Sequence, residues 1–222
     1  MNYAIIITGA TGMVGEGVLI ECLAHPRVSA VLSVSRRSNG MLHPKLKEYI
    51  VPDFLDLKDD DENLKGYDAC FFCAGISSVG MKEAGYSRIT YDTTIHFAKV
   101  LLQQNPQMTF IYVSGKGTDS SEKGRMMWAR VKGRTENALA RMPFKKVYNF
   151  RPGFMQLIPG QKNALKLYKY VGWMYPFLKL VLPNGTSTLK QVGGAMINCL
   201  ITGSDKQILE VRDINKLYSG SV

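Results

Sequence analysis

The sequence predicts an α/β fold: a doubly wound parallel sheet in a single domain over residues 1–222, with a small helical segment over 155–185 on the substrate side. Three observations carry that prediction. A glycine-rich turn, Thr8-Gly9-Ala10-Thr11-Gly12-Met13-Val14-Gly15, sits near the N-terminus between an apolar run and a helical run. Strand-like runs then alternate with helical ones, six strands in all, and such alternation implies parallel strands joined by crossover helices. With 222 residues and 45% apolar content, the chain suits one domain with a sizeable core.

The first strand is Tyr3–Ile7 and the first helix Val14–Leu23. A strand, a glycine turn and a helix N-terminus form a phosphate site, because the free N–H groups and the helix dipole face the anion. Glycines at 9, 12 and 15 let the chain turn sharply, approach a pyrophosphate and pack helix against strand. Their Gly-x-x-Gly-x-x-Gly spacing is one residue off the usual dinucleotide fingerprint; a purely structural turn is the alternative.

Val28–Val34 reads as the second strand and ends at Ser35-Arg36-Arg37. In a dinucleotide fold this end meets the adenosine ribose, where an acidic residue holds the 2′-OH of NAD. Two arginines suit the 2′-phosphate of NADP instead, since guanidinium grips phosphate as a fork. A basic surface loop is the competing reading. Tyr49-Ile50-Val51 is a short third strand, followed by Asp53, placed to accept from an adenine amino group, and Phe54, placed to cover the ring. Asp59–Glu62 reads as the acidic first turn of a short helix.

Asp68–Cys73 is the fourth strand, and the small residues Ala74-Gly75 after it leave room for a ribose. Cys70 and Cys73 spell C-x-x-C, but residues three apart on a strand point to opposite faces, so they read as buried thiols and not as a redox or zinc pair. His25, His43 and His96 are scattered, and no metal cluster is expected. A long helix is expected over 85–104, ending at Asn105-Pro106. Met108–Val113 is the fifth strand, with Ser114 at its carboxyl end, where ligands bind in such sheets. A polar loop over 115–124, a helix over 125–140 and a sixth strand, Lys145–Phe150, complete the alternation.

Beyond residue 155 the pattern changes. Residues 164–182 are aromatic-rich and broken by Gly172 and Pro176, which suits two short amphipathic helices lidding a pocket. An in-plane membrane helix is the rival, given Lys162, Lys166, Lys169 and Lys179. Leu189–Ile201 is a further helix packing back on the sheet. No apolar run reaches the ~18 residues a membrane span requires, and no secretory leader is visible, so a cytoplasmic protein is expected. The net charge of +10 is spread without a dense run, favouring a solvated basic surface and a phosphate-rich cofactor over nucleic-acid binding.

Taken together, these residues resemble the short-chain dehydrogenase/reductase superfamily, in its atypical or extended branch near the epimerase/dehydratase-like proteins and the Tat-interactive-protein oxidoreductases. The glycine turn, Ser35-Arg36-Arg37, Asp53-Phe54, Cys73-Ala74-Gly75, Val113-Ser114-Gly115-Lys116-Gly117, Val131-Lys132-Gly133 and Phe150-Arg151-Pro152-Gly153 carry the resemblance. In order and spacing they cover about residues 3 to 200. The resemblance implies an NAD(P)-binding Rossmann fold. It implies Gly9, Thr11, Gly12, Met13, Val14 and Gly15 at the pyrophosphate, Arg36 and Arg37 at the NADP phosphate, and Asp53 with Phe54 at the adenine. Ala74 and Gly75 would touch the ribose, Pro152, Gly153 and Phe154 would lie by the nicotinamide, Lys132 would hold its ribose, and Ser114 would bind a substrate oxygen.

One position departs from the family pattern. The family's Tyr-x-x-x-Lys places a phenol one helical turn before the lysine, whose charge lowers the phenol pKa and makes it an acid/base. Four residues before Lys132 stands Trp128, whose indole N–H donates a hydrogen bond but does not titrate. Two functions therefore stay open. One is an NADP-dependent oxidoreductase on a small carbonyl or hydroxyl substrate, taking its proton from Ser114, a nearby tyrosine or water. The other is a regulatory NADP(H) binder that has lost catalysis, its 155–185 segment read by a partner.

Overall fold

The computed structural model describes residues 1–163 and 185–220. Its main sheet has seven parallel strands: β1 (Tyr3–Thr8), β2 (Val28–Ser35), β3 (Leu46–Ile50), β4 (Ala69–Phe72), β5 (Thr109–Val113), β6 (Lys146–Arg151) and β9 (Ile208–Glu210). They lie in the order β3-β2-β1-β4-β5-β6-β9. The order reverses between β1 and β4, and the crevice beyond the carboxyl ends of those two strands is where an open α/β sheet binds ligands.

Buried on both faces, the strands read as near-continuous apolar runs because helices cover each side. On one face Ile5, Ile7, Phe71, Ile111 and Phe150 meet α1 (Met13–Ala24) and α5 (Leu189–Thr202). On the other, Ile6, Cys70, Phe72 and Phe110 meet Phe97, Ala98 and Leu101 of α3 (Thr93–Gln104) and Leu139 of α4 (Met127–Ala140). Cys70 packs in the second layer and Cys73 against the first, so the C-x-x-C pair is split across the sheet. All four cysteines are free.

Helices α1 and α5 approach closely because glycines face the partner helix: a Cβ on Gly17 would lie 2.9 Å from the Leu189 side chain, and one on Gly193 2.8 Å from Glu21. Helix α5 opens on a complete capping box between Thr188 and Gln191, which satisfies two otherwise orphaned backbone donors.

Several expected elements shift. The third strand starts earlier, at Leu46, because its register is set by pairing with Val31–Ser35 of β2. The acidic stretch 59–62 runs into a single 3-10 turn, Glu62–Leu64, capped by Asp61, where a short helix was expected. The long helix begins as α2 (Glu83–Ser87), passes through a π turn at Arg88–Asp92 and continues as α3. Residues 155 and 156, expected to begin the helical segment, instead belong to β7 (Phe154–Gln156), which pairs in parallel with β8 (Thr186–Thr188), just past that segment, as a second, two-stranded sheet. The amphipathic helices and the membrane-surface contact expected over 164–182 lie outside the described residues. The edge strand β9 and the last helix, α6 (Val211–Ser219), were not foreseen; three residues of strand carry too little pattern to register.

Candidate functional site

The switch-point crevice is built first by glycines. Gly9 leaves β1 with φ +74°, a left-handed conformation that disfavours any side chain. A Cβ there would fall 2.7 Å from the Ala74 nitrogen and the Cys73 carbonyl, so the turns after β1 and β4 touch through bare backbone. The Thr8 hydroxyl, fully buried, accepts from the Ala74 N–H at 3.1 Å and ties those strand ends together. Thr8 opens the glycine motif in the sequence, but nothing local announces that its hydroxyl ties the turn after β4 to β1.

Gly15 packs the helix onto the turn: a Cβ would sit 2.1 Å from the Gly9 oxygen. Gly15→Ala is expected to destabilise the fold at the upper end of the ~1–3 kcal/mol typical of overpacking, read by denaturant melts. Gly12 is the N-cap of α1 and offers no side-chain acceptor to the N–H groups of the helix's first turn. Gly12 is exposed and Thr11 half-buried. The turn is thus a cradle of bare backbone and helix dipole, which suits a pyrophosphate.

Val34 of β2 pairs with Thr8, so the end of β2 lies beside the glycine turn. Arg36 and Arg37 follow it and are exposed, and among the described residues neither guanidinium has a partner. The Ser35 hydroxyl donates to the Arg37 carbonyl at 2.7 Å and fixes the turn that presents them.

Phe54 is corrected. It is 6% exposed and stacks on Phe97 of α3 at 5.1 Å, so its ring belongs to the core and covers no adenine. Asp53 is exposed, and its Oδ1 accepts from the Leu55 N–H, capping a 3-10 turn over Phe54–Asp56. Ala74 is half-buried, while Gly75 is exposed with open space where a Cβ would stand.

On the other side of the crevice, helix α4 turns Trp128, Lys132 and Glu136 toward the carboxyl end of β5, as the i, i+4, i+8 spacing requires. The Trp128 indole lies against Gly117, where a Cβ would be 3.3 Å from its ring. The Lys132 ammonium donates to the Ser114 carbonyl, and the Glu136 carboxylate accepts from the Ser114 hydroxyl. Burial, partly offset by the charge of Glu136, pushes the Lys132 amine down to about 8. The loop after β5 crosses α4 where Gly133 lacks a side chain; a Cβ there would meet the Asp119 oxygen at 1.8 Å.

Ser114 is therefore corrected as well. It does stand at the end of β5, but it is 2% exposed and its hydroxyl is spent on Glu136 and the Phe150 carbonyl. Beneath it, Glu136 and Arg151 form a buried ion pair, with Nη2–Oε2 at 2.5 Å and Nε–Oε1 at 3.0 Å. Arg151 also donates to Ser120 at 2.6 Å and reaches Glu210 at 3.3 Å. That pair went unseen in the sequence, because it joins a helix to a strand 15 residues later.

Pro152, Gly153 and Phe154 leave β6 along the same rim. The Pro152 carbonyl accepts from the Lys116 N–H at 2.9 Å, and Gly153 passes so close to Gly185 that a Cβ would lie 2.2 Å from its oxygen.

A glycine cradle at a β1/β4 switch point, facing a helix that carries an inward lysine, defines an NAD(P)-binding fold of the Rossmann type. The chain belongs to the NAD dependent epimerase/dehydratase family, whose sequence profile matches residues 5–123. It is similar to "Protein HTATIP2" of Rattus norvegicus, 26% identical over 175 residues, covering 75% of this chain and 71% of that protein. It is also similar to "Protein fmp52, mitochondrial" of Emericella nidulans, 26% identical over 169 residues, covering 73% and 69% respectively. Among solved structures, MoeE5 in complex with UDP-glucuronic acid and NAD superposes with a TM-score of 0.68 at 16% identity, covering 94% of this chain and 76% of that one. That last likeness is one of fold. No helix among the described residues is long and apolar enough to cross a membrane.

Proposed function

We propose that the protein is an NADP(H)-dependent oxidoreductase of the short-chain dehydrogenase/reductase type, acting on a small carbonyl or hydroxyl substrate with a proton donor other than tyrosine. The observation that carries the cofactor choice is the pair of exposed guanidiniums at 36 and 37, without a partner among the described residues, beside the glycine turn where an NAD enzyme would set a carboxylate. The backbone cradle fits the rest of a dinucleotide: Gly9, Thr11, Gly12, Met13 and Val14 hold the pyrophosphate, and Ala74 and Gly75 border a ribose. Lys132 holds the nicotinamide ribose, and Pro152, Gly153 and Phe154 border the ring. When bound, the cofactor supplies or accepts a hydride. The protein's part is to orient the reacting carbon, to exclude water and to deliver a proton to oxygen.

Calorimetry tests the cofactor choice. NADP(H) should bind roughly tenfold or more tightly than NAD(H), since a hydrogen bond to a charged group contributes about 1.5–3 kcal/mol. Arg36→Ala and Arg37→Ala should each weaken NADP(H) while leaving NAD(H) nearly unchanged. Equal affinities for the two cofactors in the wild type would sink this choice.

A second reading draws on Trp128. With indole where the family has phenol, the protein is an NADP(H)-binding regulatory module whose occupancy a partner reads. It predicts tight NADPH binding without hydride transfer. The cytoplasm is the expected compartment under either reading, and organelle fractionation that returned the protein with mitochondria would overturn it. The basic surface is assigned to cofactor and solvent; salt-sensitive, tight binding to duplex DNA at physiological salt would contradict that.

A further inference from the structure

Reduction of a carbonyl needs a proton as well as a hydride, and several side chains of the crevice are poorly suited to give one. The Ser114 hydroxyl is committed to Glu136, and the Trp128 indole keeps its proton. Tyr86 and Tyr112 are buried, and burial pushes their phenols up, away from working pH. The Thr118 hydroxyl, also buried, donates to the Gly115 carbonyl at 2.7 Å.

We propose that Lys132 is itself the proton donor, its ammonium passing a proton to the substrate oxygen at the carboxyl end of β5. This rests on the oxidoreductase reading above.

Position is the first support. The lysine lies one helical turn from the place where the family carries its acid, so its amine opens on the same rim. A Cβ on Gly115 would be 3.9 Å from Nζ, which sets the amine beside the residue that opens the loop over the sheet edge.

Availability is the second. An ammonium has three N–H donors. One goes to the Ser114 carbonyl, one serves the nicotinamide ribose in the reading above and one remains for the substrate oxygen; no carboxylate among the described residues pairs with the group. Of the charged groups around it, Glu136 on its own helix is engaged by Arg151 from β6 and by Ser114. Lys116 on the β5 loop is exposed, and Asp119 on that loop is held by Ser121 and the Gly124 N–H. An ordinary lysine is too weak an acid for this work; burial brings this one to about 8, where it can both hold and release a proton.

The step balances. Hydride, two electrons and one proton from a dihydronicotinamide cofactor, forms the new C–H bond at the carbonyl carbon. The C=O π pair moves onto oxygen and takes the proton from Nζ, leaving an alcohol and a neutral amine that solvent reprotonates. The cofactor is oxidised and the carbonyl reduced.

The test joins a titration to kinetics. In protein carrying 13C-lysine, the Lys132 side-chain NMR signal, assigned by its loss in Lys132→Arg or Lys132→Met, should titrate with a midpoint near 8. NADPH-dependent reduction should fall as pH rises through that same midpoint, because the protonated amine is the donor. Lys132→Arg, which keeps the charge and donors for the ribose but holds its proton, should bind NADPH within about tenfold of the wild type in calorimetry yet lose reduction at saturating NADPH by roughly 10²-fold or more. Retained turnover and an unchanged pH profile in Lys132→Arg would overturn the proposal, as would a Lys132 midpoint at the ordinary lysine value. If the arginine variant does not fold, disagreement between the wild-type NMR and kinetic midpoints overturns it equally. NADPH binding with no turnover on any carbonyl would instead bring down the oxidoreductase reading, and the donor with it.

Discussion

Trp128→Tyr is expected to raise NADPH-dependent carbonyl reduction by up to roughly 10²-fold, the lower end of what general acid catalysis usually contributes. The reason is local. Helix α4 directs position 128 to the rim that carries Lys132, and the indole already lies against Gly117 of the β5 loop. A phenol there would stand one turn from the ammonium, which favours the phenolate and lowers the phenol pKa toward working pH. The gain stays at the low end because Lys132 already gives a proton; the tyrosine adds a better placed acid. A new ionisation in the pH profile should accompany the gain. Wild-type turnover already at a rate the tyrosine does not change, with no new ionisation, would show that the missing phenol limits nothing.

Glu136→Ala is expected to destabilise the fold by about 3 kcal/mol or more, because it leaves Arg151 buried with only the half-exposed Glu210, at 3.3 Å, as a charged partner. Glu136 is 1% exposed and Arg151 8%. Both carboxylate oxygens are engaged, and the loss also frees the Ser114 hydroxyl. The melting temperature should drop by roughly 6 °C or more, using about 2–4 °C per kcal/mol for a chain of this size. Glu136→Met with Arg151→Met should recover much of that loss, since burying neither charge removes the desolvation cost. If the single and double variants melt alike, the pair is not what holds α4 to β6.

Much of the fold was legible because its signals are local. The run Tyr3–Thr8, the glycine turn and the helix after it appear in sequence as they stand in space. Cys70 and Cys73 divide between the two faces as a period of two demands. What sequence could not show depends on contacts between distant residues. Phe54 sits at a suggestive place after β3, yet its ring turns inward onto Phe97, because a core 43 residues away offers it more apolar contact than the rim. Ser114 was well placed by topology, but no local pattern announces that Glu136 takes its hydroxyl. The strand pair β7–β8 closes across 30 residues of chain, and neither strand is longer than three residues.

The central claim is that this crevice moves a hydride between NADP(H) and a small substrate. It is tested most directly with NADPH deuterated at nicotinamide C4 and a panel of small aldehydes and ketones, followed by mass spectrometry of the products. The account predicts turnover, weak in the wild type, with deuterium from one face of the nicotinamide ring found on the former carbonyl carbon. NADPH that binds but remains unoxidised across the panel, with no deuterium in any product, would contradict it.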